Sequence, residues 1–407
     1  MSQSVAIIGG GAAGFFTAIN IAEKNSDLEV TIYEGSNKLL AKVLVSGGGR
    51  CNVTNKISNP IELSKQYPRG HDFLLPVFEQ FTSDDTERWF AERGVPLKCE
   101  DDGRKFPLTN SSHTIYNCLT SLASKHNVTV NMGHRLENFT QVNHRWELEF
   151  NKLAVTCDYL VLCTGSNPSI YHLLGTKGIE IVPPLPSLFT FKSKNHNLVD
   201  LAGVSVESSS VSIKELKNSF ETGPLLITHV GYSAPAVIKI SAWYARELAQ
   251  LDYRFTLVIN WGTYDADTLL ELFKSYTSDK PKERVMSWKE HGLSKRLWIQ
   301  LCQIAEFKEY TNWSEIGKKG IQRLIHVLCQ FEAQIVGKSA FKEEFVTAGG
   351  IDLSAVKPDS FQITGQPNMY AVGELLNIDA VTGGFNFQAA WSGAYIAATN
   401  IALTAYS

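Results

Sequence analysis

The feature that most constrains the fold of this chain is a glycine-rich turn near its start. Residues 5–8, VAII, form a short apolar run typical of a strand that is buried on both faces. Gly9-x-Gly11-x-x-Gly14 follows at once, and apolar residues then recur at helical spacing. A second apolar run occupies residues 30–33. The order of strand, tight turn, helix and strand predicts a βαβ unit.

Each glycine of this turn has a physical task. Gly9 permits the turn, Gly11 lets backbone N–H groups approach a pyrophosphate, and Gly14 lets the helix pack closely on the sheet. The N-terminus of the helix adds a favourable field for an anion. Glu34 ends the second strand, 20 residues after Gly14, where a carboxylate can accept hydrogen bonds from ribose hydroxyls. The unit predicts an adenine dinucleotide site rather than a purely structural turn, and periodicity leaves NAD and FAD both open.

A second glycine-rich stretch, SGGGRCNVTN at residues 46–55, helps to choose between the two dinucleotides. It begins 12 residues after Glu34, which is too soon for another βαβ unit. Three glycines let a main chain lie against a ligand, and Arg50 offers a fixed cationic group. A loop that leaves the Glu34 edge would run along the same cofactor. FAD, which extends beyond its adenosine half, needs such contacts more than a loosely held NAD does, so the stretch favours FAD.

Cys51 within this stretch has two possible roles. Beside a flavin, and with Arg50 able to lower the pKa of its thiol, it could take part in redox chemistry. No second cysteine lies near it in sequence, which favours a packing role or a backbone contact. The seven cysteines of the chain are scattered and never spaced as C-x-x-C, so the sequence predicts reduced thiols and neither a disulfide framework nor a metal site.

Two later segments also end strands in small or acidic residues. The apolar run 159–162 leads to Thr164 and Gly165, and can bring a main-chain turn close to a cofactor. Near the C-terminus a strand ends at Glu374, which could accept a hydrogen bond from a ribityl hydroxyl. Residues 382–388, TGGFNFQ, then open an apolar helix whose N-terminus can stabilise negative charge on a flavin. A solvated glutamate and a capped surface helix are the alternatives.

Composition limits the other possibilities. The chain has 407 residues, 44% hydrophobic residues and a formal net charge of −3, so it can bury a large core and has no overall attraction to nucleic acid or membranes. Without a basic stretch before the first apolar run, and without an apolar run near the about 20 residues of a membrane span, the sequence predicts a cytoplasmic protein with no membrane partner.

The middle of the chain contains a stiff Pro-rich linker at residues 183–186, a β-rich part that follows it, and a mostly helical part from about 265 to 336. Six basic residues, with Trp288 and Trp298 close by, suggest an RNA-facing patch, although a solvated helical face is an alternative. These six residues are Lys280, Lys282, Arg284, Lys289, Lys295 and Arg296.

Five segments together resemble one known family. VAIIGGGAAG, SGGGRCNVTN, VTAGGIDLSAV, MYAVGELLNIDAVTGGFNFQAAWSGAYIA and LLITHVGYSAPAV are similar to the YhiN/BaiN-type family of NAD(P)/FAD-dependent oxidoreductases, over essentially the whole chain. The resemblance implies an α/β fold with a discontinuous, Rossmann-like FAD-binding domain (1–188 and 339–407), an inserted β-barrel (189–264) and a small helical part (265–338).

Motifs and resemblance together predict a set of residues that bind FAD. They are Gly9, Gly11, Ala12, Ala13, Gly14, Glu34, Gly35, Ser46, Gly47, Gly48, Gly49, Arg50, Cys51, Asn52, Thr164, Gly165, Gly373, Glu374, Gly383, Gly384, Phe385, Asn386 and Gln388. A second G-x-G-x-x-G unit is missing from the sequence, so we expect NAD(P)H to bind only transiently as electron donor.

The resemblance further implies reduction of a conjugated carbon–carbon double bond, as in bile-acid enones or in a uridine of 23S ribosomal RNA. Such a reaction needs a donor for the developing enolate oxygen and an acid for the α carbon. His229 and Tyr232 are the predicted catalytic residues, with Arg104 or Lys105 as further candidates. We favour the uridine substrate, while reduction of a small enone, oxidation of an amine and a flavin-bound module without activity remain alternatives.

One position departs from the family pattern. The family reads THxGxSGP where this chain has THVGYSAP, so that Ala234 replaces a glycine. A turn that needs a positive φ at this position would be strained by the alanine side chain.

Overall fold

The computed structural model describes residues 3–194, 198–262, 264–290, 292–339 and 346–405. The chain divides into two compact units. The first consists of Met1–Ser187 and Phe341–Ser407, and the second of Leu188–Ala340.

Regular elements fill both units. The strands are, in chain order, β1 (Ser4–Ile8), β2 (Glu29–Glu34), β3 (Thr54–Asn55), β4 (Leu97–Cys99), β5 (Arg104–Pro107), β6 (Thr129–Met132), β7 (Leu136–Val142), β8 (Arg145–Phe150), β9 (Ala154–Cys157), β10 (Tyr159–Leu162), β11 (Ile181–Ser187), β12 (Phe191–Ser193), β13 (Ser205–Ile213), β14 (Glu221–Ile227), β15 (Gly231–Ser233), β16 (Phe255–Asn260), β17 (Phe331–Lys338), β18 (Val346–Ile351) and β19 (Met369–Ala371). The helices are α1 (Ala12–Lys24), α2 (Ala41–Gly49), α3 (Pro60–Ser64), α4 (His71–Phe78), α5 (Ser83–Glu92), α6 (Ser112–Lys125), α7 (Pro168–Thr176), α8 (Pro235–Trp243), α9 (Ala245–Gln250), α10 (Ala266–Asp279), α11 (Lys295–Ile304), α12 (Gly317–Cys329) and α13 (Phe385–Thr404).

The first unit is built on a parallel sheet in the order β19-β10-β1-β2-β6. Strand β1 pairs with β2 through the crossover helix α1, which is the predicted βαβ unit. Strand β19, from the C-terminal part of the chain, adds to the edge formed by β10. The predicted α/β, Rossmann-like fold is therefore confirmed, and both ends of the chain build its sheet.

Helix α13 joins the two ends of the chain in one core. It packs along α1, where the Phe16 and Trp391 rings have centroids 5.1 Å apart and both side chains are fully buried. Trp89 of α5 lies on the same Phe16 ring at 4.3 Å. A helix that is apolar on all sides is expected in such a buried place.

The predicted Pro-rich linker is wrong. Residues 183–186 lie within strand β11, which pairs antiparallel with β18 and shifts register between Val182 and Leu185. Proline lacks the N–H that a strand ladder uses, so it is tolerated where a bulge interrupts the pairing. The segment that reads as a spacer is therefore part of the folded first unit.

The second unit contains the predicted barrel, which is confirmed. Its six strands close in the order β12-β15-β14-β13-β16-β17. The sequence predicts a mostly helical part that extends to about residue 336, and this is wrong for residues 331–336, which belong to β17 and pair with β12 and β16 to close the barrel. Buried Phe331, Ala333 and Ile335 alternate with exposed neighbours, which is the period of a strand.

Helices α10, α11 and α12 follow the barrel strand β16 and enclose an aromatic cluster. Trp288 and Trp298 have ring centroids 5.1 Å apart, and Trp313 packs on Phe273 at 5.2 Å. All of these side chains are buried. The two tryptophans that suggested RNA contacts are therefore core residues, whereas the six basic residues around them are exposed. Within the described ranges, no helix combines the length and apolarity needed to cross a membrane.

We predict that Ala234→Gly stabilises the protein. Ala234 has φ 80° and ψ 174°, a conformation open almost only to glycine, and α8 begins directly after it. Relief of the strain should stabilise the folded state by about 1–3 kcal/mol. The greater chain entropy of glycine in the unfolded state offsets about 0.5–1 kcal/mol of this gain. The free energy of unfolding in urea should rise by about 1 kcal/mol. Ala249→Gly, inside α9, serves as control and should lower it; a loss in both variants would contradict the strain.

Candidate functional site

A cavity of about 970 Å³ opens in the first unit where the parallel strands β1, β2, β10 and β19 end. Ligands of open α/β sheets bind at this carboxyl edge, and the volume is at the upper end of the about 300–1,000 Å³ usual for ligand pockets. Many of the predicted residues line it: Gly9, Gly11, Ala12, Ala13, Glu34, Gly35, Ser46, Gly47, Gly48, Thr164, Gly165, Gly373, Glu374 and Asn386. The fold thus brings these separate segments around one space.

The first glycine turn is shaped by close backbone contacts. A Cβ atom on Gly14 would lie 1.9 Å from the carbonyl oxygen of Gly9, and one on Gly9 would lie 2.4 Å from that of Cys163. A Cβ atom on Gly11 would have nothing within 4 Å, because this residue faces the cavity. Helix α1 then begins at Ala12, so its N-terminal N–H groups are placed at the cavity wall, where an anion can accept from them.

Two backbone N–H groups hold the carboxylate of Glu34 in place. One carboxylate oxygen accepts from the backbone N–H of Gly10 at 2.8 Å, and the other accepts from that of Ser36 at 2.7 Å. A carboxylate oxygen has further acceptor capacity, so Glu34 can also accept from a hydroxyl of a bound ligand.

The second glycine stretch ends helix α2. Backbone angles leave the helical region at Ser46, and Gly47 packs so closely on Phe106 that a Cβ atom would be 2.8 Å from its ring. Arg50 lies over the same ring at 4.0 Å and donates to Glu100 at 2.5 Å. Its guanidinium is therefore bound to a carboxylate of the protein. Arg50 and the neighbouring Gly49 do not line the cavity.

The second glycine-rich stretch (46–55) and the TGGFNFQ segment (382–388) form hydrogen bonds with each other. In the amide orientation that satisfies both neighbours, Asn52 accepts from the N–H of Gly384 at 2.9 Å. Asn55 donates to the carbonyl of Gly383 at 2.9 Å. A Cβ atom on Gly384 would lie 2.5 Å from the carbonyl oxygen of Thr54. The start of α13 is therefore held by residues 52–55, more than 300 positions earlier in the chain.

Gln388 belongs to this contact as well. It accepts from Thr54 Oγ1 at 2.5 Å and from Thr86 Oγ1 at 2.9 Å, and donates to Ser392 Oγ at 2.9 Å. Its side chain is completely buried and the cavity lining does not include it. The cavity lining likewise does not include Gly14, Cys51, Asn52, Gly383, Gly384 and Phe385.

Cys51 is fully buried, and burial raises the pKa of its thiol to about 12. The expectation that Arg50 lowers this pKa is wrong, because desolvation dominates. A thiol that stays protonated is a poor nucleophile, so the structure supports the packing role.

Thr164 supplies a polar group that fits a ligand. Its Oγ1 atom is buried and has no hydrogen-bond partner among the described residues, although Thr164 lines the cavity. Buried hydroxyls are normally bonded, so an unbonded one in a cavity wall indicates where a ligand would accept or donate. Together with Glu34 and the start of α1, it fits the polar groups of a dinucleotide.

Glu374 has partners within the protein. One oxygen forms an ion pair with Lys42, and the other accepts from the backbone N–H of Thr347 at 3.1 Å. Lys42 lines the cavity, and so does His134 after β6, yet neither was predicted. Lys42 lies four residues before the second glycine stretch, and this proximity in sequence could have predicted that it lines the cavity. His134 follows the edge strand β6, and only the strand order places it here.

The predicted catalytic residues lie in the second unit. His229 is exposed in the turn between β14 and β15, where Thr228 Oγ1 accepts from the N–H of Gly231 at 3.1 Å. Tyr232 is 1% exposed inside the barrel, and burial raises the pKa of its hydroxyl.

The further candidates Arg104 and Lys105 lie in the first unit, and both side chains are bound to carboxylates of the protein. Lys105 donates to Glu87 at 2.6 Å and Arg104 to Asp102 at 2.6 Å. The described part of the chain holds no cluster of three His, Cys, Asp or Glu side chains able to bind a metal ion.

Comparisons with known proteins agree with this geometry. The family profile described as "HI0933-like protein Rossmann domain" matches residues 3–400. The "Ribosomal RNA dihydrouridine synthase" of Haemophilus influenzae is 29% identical over 415 residues, and the "3-dehydro-bile acid delta(4,6)-reductase" of Clostridium scindens is 26% identical over 402, each alignment covering 97% of both chains. A 3-ketosteroid-delta4-(5alpha)-dehydrogenase from Rhodococcus jostii is 12% identical, with a TM-score of 0.52 and coverage of 100% of this chain and 97% of that one. This last likeness concerns the fold alone.

Proposed function

Because this chain belongs to the HI0933-like family, the YhiN/BaiN-type FAD-dependent oxidoreductases, we propose that it binds FAD in the cavity of the first unit and reduces a conjugated carbon–carbon double bond. NAD(P)H is the proposed electron donor. The observation that carries the proposal is the cavity itself, in which the glycine turn, Glu34 and the unbonded hydroxyl of Thr164 come together at the carboxyl edge of the sheet.

Named residues would hold the cofactor. The N–H groups at the start of α1 would bind the pyrophosphate, since an anion gains from a helix N-terminus. Glu34 would accept from ribose hydroxyls, and Thr164 and Glu374 would bond hydroxyls elsewhere along the cavity. When bound, FAD would supply hydride transfer to the β carbon of the substrate.

For the protonation of the α carbon, we retain His229 as the proposed acid. Its side chain is exposed and is therefore accessible to a substrate or to water. We propose Tyr232 as a hydrogen-bond donor rather than as the acid, because burial inside the barrel raises the pKa of its hydroxyl and keeps it protonated.

Our preferred substrate is a uridine of 23S ribosomal RNA. The name of the Haemophilus relative supports it, and so do the six exposed basic residues between positions 280 and 296. Reduction of a small enone is the second candidate, because the Clostridium relative is named a bile-acid reductase and matches over the same length.

Two experiments test the proposal. Anaerobic mixing with NADH or NADPH should bleach the visible absorbance of the FAD-loaded protein. Bleaching by an amine, with peroxide formed in air, would indicate an oxidase. If no reductant bleaches the flavin, the protein would be a flavin-bound module without activity. Dihydrouridine is then mapped in ribosomal RNA from cells with and without the protein. If the dihydrouridine map is unchanged, the uridine substrate is excluded and the small enone becomes the proposed substrate.

We predict that Thr164→Val weakens FAD binding without harming the fold. The lost hydroxyl has no hydrogen-bond partner in the described part of the chain, so the free energy of unfolding without FAD should not fall. FAD affinity, measured by quenching of flavin fluorescence, should fall about fivefold, which corresponds to about 1 kcal/mol for one hydrogen bond. Thr86→Val removes a buried hydroxyl that donates to Gln388 and should instead destabilise the fold. Equal destabilisation in both variants, with unchanged affinity, would refute the assignment.

A further inference from the structure

The two units of this protein differ in net charge, and the second is the more basic. Residues 188–340 contain 19 Lys and Arg against 16 Asp and Glu, whereas the rest of the chain has 19 against 25. Six of these basic residues lie between positions 280 and 296, and all six are exposed. Because local contacts with phosphates control binding to a polyanion, the second unit is the better candidate for contact with RNA.

An exposed aromatic ring lies beside this segment. Tyr310 has 67% of its surface accessible, although the other aromatic residues nearby are buried in the cluster of α10 and α11. The guanidinium carbon of Arg284 lies 4.8 Å from the centre of its ring. The two planar groups therefore form an accessible pair, which we call the Tyr310–Arg284 platform.

Backbone hydrogen bonds hold the platform in place. Arg284 forms an antiparallel bridge with Asn312, and the N–H of Val285 donates to the carbonyl of Thr311 at 3.0 Å. Trp298 Nε1 donates to the carbonyl of Val285 at 3.2 Å, which ties the same segment to the buried cluster. Tyr310 and Arg284 thus come from two chain segments that the core fixes side by side, so little order has to be created when a ligand binds.

Charges of both signs surround the platform. Lys282 and Lys308 are exposed beside it, and so are Glu283 and Glu309. The acidic residues weaken a purely electrostatic attraction of a polyanion at this place. An aromatic ring with an arginine over it does not depend on net charge, because every nucleobase can stack on such planar groups.

We propose that the Tyr310–Arg284 platform binds an unpaired base of an RNA, while the neighbouring lysines contact the flanking phosphates. The inference rests on the proposed RNA substrate. It adds that recognition uses a single-stranded or looped region, since the target uridine must leave a duplex before its ring can be reduced. The two buried tryptophans of the basic segment take no part in this contact.

The test is binding of a fluorescein-labelled single-stranded RNA of about 12 nucleotides, followed by fluorescence anisotropy. Tyr310→Ala should weaken binding about tenfold or more, as expected for the loss of one stacked base. Tyr310→Phe keeps the ring and should bind as the unchanged protein does. Phe220→Ala is the matched control, because Phe220 is 61% exposed in the same unit. Arg284→Lys keeps the charge without the planar group and should weaken binding less than Tyr310→Ala. Thermal melts confirm that every variant is folded.

The outcomes separate this inference from the proposed function. If the unchanged protein binds the RNA and Tyr310→Ala binds equally well, or if Phe220→Ala loses as much, the platform is overturned while the RNA substrate stands. If the unchanged protein binds no RNA under low salt, both the platform and the RNA substrate are overturned. A full paired duplex should be insensitive to Tyr310→Ala, because its bases are not available for stacking on a side chain.

Discussion

Replacing Gly14 with alanine is expected to destabilise the first unit by about 3 kcal/mol or more and to abolish FAD binding. The added Cβ atom would lie 1.9 Å from the carbonyl oxygen of Gly9, which is backbone and cannot rotate away. Helix α1 would have to move off strand β1, and the N–H groups at its start would move with it. Urea unfolding and flavin content after purification in the presence of FAD measure the two effects.

Gly11→Ala is the matched control for this prediction. A Cβ atom at Gly11 meets nothing within 4 Å, so the fold should keep its stability. The methyl group would project into the cavity and should still weaken FAD binding. A Gly14→Ala protein that is as stable as the Gly11→Ala protein would show that α1 does not pack closely on the glycine turn, and the proposed role of this turn would fail.

The second large effect is expected at the buried ion pair of Arg69 and Asp379. Asp379 is fully buried and accepts from Arg69 Nε at 2.5 Å and from Ser187 Oγ at 2.7 Å. Asp379→Asn has the same shape but removes the compensating charge, so the arginine, only 11% exposed, would be left in a poorly solvated place. Breaking such a pair costs about 3–5 kcal/mol, which urea unfolding would detect as a large shift of the midpoint.

Two further variants make this prediction specific. Lys65→Gln removes the exposed ion pair with Glu62 in the same unit and should change the stability by only about 0–1 kcal/mol. The double variant Arg69→Met/Asp379→Leu removes both buried charges and should recover part of the loss, because the cost comes from the uncompensated charge. An Asp379→Asn protein that is as stable as Lys65→Gln would contradict the account.

Much of the fold follows from local pattern. The run 5–8, the glycines after it and the helical spacing beyond Gly14 determine the βαβ unit, since each is a property of a few neighbouring residues. The α/β class follows from the same unit, whereas the barrel is predicted by the family resemblance. Residues 331–336 alternate between buried and less buried positions as a strand does, although helix α12 ends only two residues before them.

The environment of some residues depends on tertiary contacts rather than on residue type. The tryptophans at positions 288 and 298 stand among lysines in the sequence but face the core, since the chain around them is helical or turned and places neighbours on opposite sides. The sequence predicts that Arg50 binds a ligand, whereas its guanidinium pairs with Glu100 and lies over the ring of Phe106. Neither partner is close enough in sequence to be inferred.

What the sequence determined by itself is the first half of the candidate nucleotide site: strand, glycine turn, helix and the acidic residue Glu34. These features act over distances of one or two turns of chain, and their geometry depends on glycine sterics and helix polarity. Only the tertiary structure decided which residues of the later motifs face the cavity and which face each other. Asn52 and Asn55 meet residues 383–384 because the sheet brings β19 and α13 back to the start of the chain, and hydrogen bonds between segments more than 300 positions apart leave no periodic trace in the sequence.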